Sequence, residues 1–240
     1  MQVIGRVREI YRYPVKSMAG ESLTSAAIGW HGVEGDRRLA FVRSGVAGGF
    51  PWLTASKLPS LITYVPLREP DGAAEKLPTR VRTPAGQELD LRSEELRSEL
   101  QAVHGGPVEL LELAHGIFDD APISLITTAT VEAITEESGV SNDPRRFRPN
   151  LLVDGLDAGA FQDDAWVGHT IRIGEGDDAP ILAICMRDVR CVMINLDPVT
   201  AASDAAVLKS AVRMNGNCAG VYATVIRTGT VTQGDALFLT

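Results

Sequence analysis

A chain of 240 residues, 45% hydrophobic and 22% charged, has enough apolar material for one large domain or two small ones. Its formal net charge of −8, from 23 Lys and Arg against 31 Asp and Glu, is the wrong sign for a protein that draws its affinity from nucleic-acid phosphates. Three cysteines without a C-x-x-C pair argue against a disulfide framework, and no apolar run of roughly 18 residues exists to span a bilayer. A cytoplasmic protein with no membrane and no nucleic-acid partner is the expectation.

In chain order, the first apolar stretch is Val3–Ile10, interrupted by Arg6, Arg8 and Glu9 and so unlike the core of a signal peptide. Leu39–Val42 and Leu61–Val65 follow as predicted strands. The polar, proline-dotted segment Arg68–Arg92 reads as loops and edge strands. Ser93 is placed to cap a helix with Glu94 and Glu95 in its first turn, an apolar stripe of Leu96, Leu100 and Val103, and a stop at Gly105-Gly106. Val108–Leu113 is the next predicted strand. A second helix starts at Thr127 or Thr128, carries Val131 and Ile134, and closes at Gly139. Predicted strands then run over Leu151–Val153, Thr170–Ile173, Ile181–Cys185 and Cys191–Leu196. A third helix, capped by Ser203, carries Ala206, Val207 and Ala211 and ends near Gly216. Strands Val221–Ile226 and Ala236–Leu239 finish the chain.

So many short strands with closely spaced turn signals favour a barrel or sandwich over a parallel sheet, giving a mainly β (α+β) fold with a few helices. A soft boundary near Glu112 divides the chain into regions 1–112 and 113–240. Gly174–Ala179 matches the dinucleotide pattern G-x-G-x-x-A, but Pro180 and a further strand follow where a helix is required. Glu175, Asp177 and Asp178 would also repel a pyrophosphate, so a hairpin turn is expected there. His31, His104, His115 and His169 lack metal-ligand spacing.

Chemistry concentrates in three stretches. Tyr13-Pro14-Val15-Lys16-Ser17, followed by Gly35-Asp36-Arg37, sets a lysine and a serine beside a proline-stiffened strand end, where they could donate to an anion or simply be solvated. Asp143–Asn150 holds three arginines within four residues, unusual in so acidic a chain. Phe147 and Pro149 there stiffen the backbone around Arg148 and Asn150, while Arg145 is the bland surface case. Cys185–Pro198 contains Cys191 with Arg190 beside it and Arg187 nearby, a setting that favours the thiolate needed for soft-metal ligation or nucleophilic attack. Cys185 and Cys218 lack that setting and are taken as structural.

These stretches, in this order, resemble the MOSC-domain family, in particular the branch with an N-terminal MOSC β-barrel region that includes the mitochondrial amidoxime-reducing component and its bacterial relatives. The pieces are YPVKS at Tyr13–Ser17, GDR at Gly35–Arg37, RFRPN at Arg146–Asn150, and Arg190-Cys191 followed by Asp197-Pro198. Thr54-Ala55, Asp119–Pro122 and Gly234-Asp235 are weaker matches.

The resemblance implies an N-terminal β-barrel-like region (1–112), then a MOSC β-barrel (113–240). It also implies a molybdenum cofactor, in which a pterin dithiolene holds the metal. Cys191 becomes the protein ligand to molybdenum. Lys16, Ser17, Arg37, Asp119, Arg148, Asn150, Arg190 and Tyr222 become cofactor-binding residues, and Asp197 a catalytic proton source. Asp120 and Ala121 depart from the small hydroxyl residues of relatives, which removes one or two cofactor hydrogen bonds.

The implied activity is an oxidoreductase that reduces N-hydroxylated substrates by oxygen-atom abstraction. With neither a membrane anchor nor an iron–sulfur domain expected, its electrons would come from a separate ferredoxin-like or cytochrome-type donor. The alternatives are a sulfur carrier using a Cys191 persulfide and a non-catalytic cofactor carrier.

Overall fold

Short β-branched runs punctuated by Gly, Pro and Asp satisfy their backbone groups by pairing, and most of this chain does so. The computed structural model describes residues 2–45, 50–68, 77–116, 120–156 and 159–240. The N-terminal stretch supplies β1 (Gln2–Arg12), β2 (Glu21–Leu23), β3 (Ser25–Gly29), β4 (Gly32–Val33) and β5 (Leu39–Arg43). Next come β6 (Val65–Leu67), β7 (Arg80–Arg82), β8 (Glu88–Asp90), α1 (Glu94–His104) and β9 (Val108–Glu112). The remainder forms β10 (Ile123–Thr127), α2 (Thr128–Ser138), β11 (Leu151–Gly155), β12 (Thr170–Ile173) and β13 (Ile181–Val189). It ends with α3 (Ala206–Asn215), β14 (Cys218–Arg227), β15 (Gly229–Thr232) and β16 (Ala236–Leu239).

Seven strands close a barrel in the order β11-β10-β14-β13-β12-β16-β1, with β1 returning to β11 and β2 added outside β1. β10 and β11 run parallel, and the other barrel pairings are antiparallel. The barrel interior is a single apolar cluster that includes Val7, Leu125, Leu151, Ile171, Leu182, Val221 and Leu237. Closure satisfies every strand edge inside the barrel, so no ladder is left open there. The expected division at Glu112 coincides with the end of β9, yet pairing runs across it. β1 belongs to the barrel, and β3 pairs with β15.

Two further clusters flank the barrel. One gathers Val15, Leu39, Phe41, Leu53, Leu61, Leu96, Leu100 and Val108 beneath β5, β9 and α1. The other packs α2 and α3 on the barrel through Val131, Ile134, Val207 and Ala211, joined by Tyr13, Ile126 and Phe147.

The first two helices start and stop as their sequences predict. The Ser93 hydroxyl accepts from Leu96 N at 3.2 Å, the Thr127 hydroxyl accepts from Thr130 N at 3.3 Å, and Gly105 and Gly139 adopt left-handed conformations at the ends. Other expectations are corrected. α3 is not capped by Ser203, which bridges Leu196 instead; the Asp204 carboxylate accepts from Ala206 N at 2.9 Å. Leu61–Val65 is not a strand, because Pro59 opens a 3-10 helix over Pro59–Thr63. Cys191–Leu196 is also not a strand but a 3-10 helix over Val192–Asn195. Its side chains split between two cores, Ile194 joining the α2–α3 cluster and Leu196 the N-terminal one, which the twofold alternation of a strand would not allow.

Gly174–Ala179 lies in the turn between the antiparallel strands β12 and β13, as expected. The polar segment after Arg68 supplies β7, which pairs with β6, and β8, which pairs with β7, in a small antiparallel sheet. Among the described residues no helix is long and apolar enough to cross a membrane.

Candidate functional site

Three separated stretches interlock beside the barrel end where β1 and β13 terminate. The Asp36 carboxylate accepts from Tyr13 N at 2.7 Å, and Arg37 N donates back to Tyr13 O at 2.7 Å. Arg148 Nη1 donates to Met18 O at 2.8 Å, and Arg37 Nη2 donates to Arg148 O at 3.1 Å. The Tyr13 ring meets both guanidinium groups, 4.1 Å from Arg148 and 5.0 Å from Arg37, within cation–π range. Burial pushes the Tyr13 phenol up to about 12 against the pull of both arginines. Burial opposes the Arg37 charge, but the adjoining Asp36 carboxylate outweighs it and raises the guanidinium pKa, so Arg37 stays cationic. Ser17, Arg37 and Arg148 all sit at positive φ (66°, 48° and 51°), a conformation that costs a non-glycine residue about 1–3 kcal/mol. Strain clustered in this way marks a site held in one shape.

Asn150 stands behind this wall rather than in it. It is fully buried; its amide oxygen accepts from Ser124 N at 3.1 Å and Arg37 Nη1 at 3.5 Å, and its amide nitrogen donates to Tyr11 O at 3.3 Å. The asparagine expected to face the pterin is not among the residues lining the cleft and is tied to the backbone of Ser124 and Tyr11.

Cys191 is exposed and occupies the N-terminal end of the 3-10 helix Val192–Asn195. The cationic flank expected for its thiol is directed elsewhere. Arg190 Nε donates to Ala219 O at 2.7 Å and Nη1 to Phe147 O at 2.7 Å, while Nη2 pairs with Asp188 at 2.9 Å. Arg187 reaches Asn215 O at 2.8 Å and Asp164 at 3.0 Å. Gly220, at φ +83°, makes room for this arrangement, because a Cβ there would lie 2.5 Å from Leu125 O and 3.2 Å from Arg190 Nη2. Cys218 is buried, and burial raises its thiol pKa; Cys185 is exposed and donates to Tyr222 O at 3.2 Å.

A cleft of about 430 Å³ opens between these parts, within the range of small-molecule sites. Of the sequence-predicted residues it brings together Lys16, Ser17, Arg37, Arg148, Arg190, Cys191 and Tyr222. Asp119 lies outside the described residues, and its neighbour Asp120 lines the cleft. Asp197 is not a lining residue. Its Oδ1 accepts from Val199 N, Thr200 N and the Thr200 hydroxyl at 2.9–3.1 Å, and its Oδ2 accepts from Arg146 at 2.7 Å. Partial burial works against the carboxylate, but these donors outweigh it and hold its pKa below the usual range. The carboxylate expected to supply protons is thus engaged by Arg146 and by the Val199–Thr200 turn outside the cleft lining.

Sequence reasoning passed over Phe50, Ser56, Ser124, Arg146, Asp188 and Met193, all of which line the cleft. Arg146 was within view as the first arginine of RFRPN; the others carry no local sequence signal.

The donor set fits a phosphorylated, soft-metal-bearing cofactor. Lys16 is only 5% exposed yet lines the cleft, a placement that desolvates a cation and suits an anionic partner. Arg146, buried and lining the cleft, adds a cation whose Nε has no hydrogen-bond partner among the described residues. Cys191 supplies an exposed sulfur, the ligand type that soft metals select.

The chain thus combines a closed β-barrel with a cleft lined by several cations and an exposed thiol. The chain belongs to the MOSC domain family. The MOSC domain matches residues 101–238, and the MOSC N-terminal beta barrel domain matches residues 4–106. This family is associated with the binding of molybdenum cofactor. Among solved structures, the chain is similar to the YUAD protein from Bacillus subtilis, with 15% identity over 98% of this chain and 95% of that one and a TM-score of 0.51. It also matches YiiM from Geobacillus stearothermophilus at 18% identity over 50% of this chain and 54% of that one, with a TM-score of 0.38. No curated protein matches the chain significantly in sequence.

Proposed function

We propose that this protein is a molybdenum-cofactor-dependent oxidoreductase that reduces N-hydroxylated compounds. The observation that carries the reading is one cleft that joins the buried Lys16 and the half-buried Arg37 and Arg148 to the exposed Cys191. Lys16, Ser17 and Arg37 would hold the cofactor's phosphate, Arg148 and Tyr222 its pterin, and Cys191 its metal. When bound, the cofactor supplies redox chemistry that accepts an oxygen atom. The chain's own part is to bind and orient. The strained wall fixes Arg37 and Arg148 in advance, so little reorganisation is needed on binding. Asp120, exposed at the mouth, offers an acceptor to the substrate N–H groups. The net change replaces N–OH by N–H and releases water, with an electron pair from a separate donor protein and protons from solvent.

Molybdenum-loaded protein with reduced viologen should convert a simple amidoxime to its amidine, whereas Cys191→Ala should not. NADH alone should support no turnover, because Gly174–Ala179 is a hairpin turn and not a dinucleotide loop. Fully loaded protein that leaves several N-hydroxylated compounds untouched would refute the activity. The exposure of Cys191 also suits a persulfide carrier. A persulfide on Cys191 of metal-free protein, seen by mass spectrometry, would move the assignment there.

A further inference from the structure

The turn Pro144–Phe147 touches the cysteine segment on both flanks. On the N-terminal flank, Phe147 O accepts from Arg190, the residue before Cys191. On the C-terminal flank, the Arg146 guanidinium reaches Asp197 Oδ2 at 2.7 Å and Asn195 O at 3.5 Å. Asn195 is the last residue of the 3-10 helix that Cys191 begins, and its side-chain oxygen accepts from Leu208 N at 2.9 Å, fastening that helix to α3. Asp197 in turn gathers the next turn through its contacts to Val199 and Thr200. Arg148, two residues beyond Arg146, is the cation stacked on Tyr13 in the anion-facing wall.

We infer that Arg146 is a positioning residue: with Asp197 it fixes the Val192–Asn195 turn, so that Cys191 is presented to the same cleft that Arg148 faces. A 3-10 turn of four residues holds its own shape weakly, so an outside clamp is needed to fix the thiol. Arg146 is 4% exposed, and its charge is matched by Asp197 at one end of the clamp. A planar guanidinium can bridge a carboxylate and a carbonyl at once, which a single ammonium cannot do as well. The anion wall and the metal ligand are then joined through one short turn, Pro144–Arg148. This inference rests on the reading that Cys191 holds the metal.

The test compares wild type, Arg146→Met, Arg146→Lys, Asp197→Asn and Cys191→Ser, all made in a host that supplies molybdenum cofactor. In cofactor-free protein, amide exchange over Val192–Asp197 should speed up about tenfold in Arg146→Met and Asp197→Asn, with barrel-strand amides unchanged. In loaded protein, the molybdenum-to-pterin ratio should fall in both, and molybdenum-edge absorption should show fewer sulfur neighbours. Arg146→Lys should recover part of each change, because it keeps the ion pair and loses the carbonyl contact. A general loss of fold would lower pterin and metal together and expose the barrel amides as well; that pattern overturns the inference. So does an unchanged ratio and exchange rate in folded Arg146→Met when Cys191→Ser has lost its metal. If Cys191→Ser keeps its metal, the reading of Cys191 as ligand fails, and the exchange arm alone then decides whether Arg146 clamps the turn.

Discussion

The barrel interior and the cleft beside it are built on opposite rules. Inside the barrel, fully buried Leu125, Leu151, Ile171, Leu182 and Val221 meet one another, and their backbones are satisfied by regular ladders. At the cleft, buried Lys16 and Arg146 are held among polar groups, three non-glycine residues sit at positive φ, and the thiol rides on a 3-10 turn. The first region stabilises the molecule and the second draws on that stability to hold charge and strain in place. The contrast predicts that the two can be broken separately.

The largest stability effect belongs to the barrel. Leu125→Ala leaves a cavity in a closed sheet and should cost about 2–5 kcal/mol, seen as a lower denaturant midpoint in cofactor-free protein. Next come the cleft cations. Lys16→Ala and Arg148→Ala should each weaken pterin binding by about 1.5–3 kcal/mol, measured as occupancy of the purified protein, with a smaller fall in the denaturant midpoint than Leu125→Ala causes. Arg145→Ala should change neither, because Arg145 is exposed and pairs locally with Asp143 at 2.6 Å. Equal losses at Lys16, Arg148 and Arg145 would mean general electrostatics and not aimed contacts. Away from both regions, Ser93→Ala removes the cap of α1 and should cost about 1 kcal/mol of stability with cofactor content unchanged. Tyr13→Phe should leave stability within about 0.5 kcal/mol of wild type, because the buried Tyr13 hydroxyl has no hydrogen-bond partner among the described residues. The ring that the two arginines flank is kept.

The same contrast explains what could be read from the sequence. The strands Thr170–Ile173, Ile181–Cys185, Val221–Ile226 and Ala236–Leu239 all fall within observed strands, because each carries a local apolar pattern and a local stop signal. Ser93 and Thr127 were legible for the same reason, since capping needs only a hydroxyl and the next turn. Cys191–Leu196 looked like a strand because its apolar run hides the fact that Ile194 and Leu196 enter different cores. At the site, the ordered motifs led to the lysine, the arginines and the cysteine that the cleft gathers. They did not tell a contacting residue from a brace. Asn150 and Arg190 are polar groups directed at backbone carbonyls and amides, and Asp197 is an anchor for Arg146; only the fold reveals where each side chain points. Ser124, Asp188 and Met193 come together from β10, β13 and the 3-10 turn, with nothing in their local sequence to announce it.

The claim that one cleft joins an anion wall to a metal-binding thiol is tested most directly by composition. Wild type, Cys191→Ala and Cys218→Ala, produced in a host that makes molybdenum cofactor, should be assayed for molybdenum and for the fluorescent oxidation product of the pterin. Wild type and Cys218→Ala should carry both. Cys191→Ala should lose most of its molybdenum while keeping the wild-type denaturant midpoint, because an exposed thiol contributes little to packing. Wild-type molybdenum occupancy in folded Cys191→Ala would contradict the account.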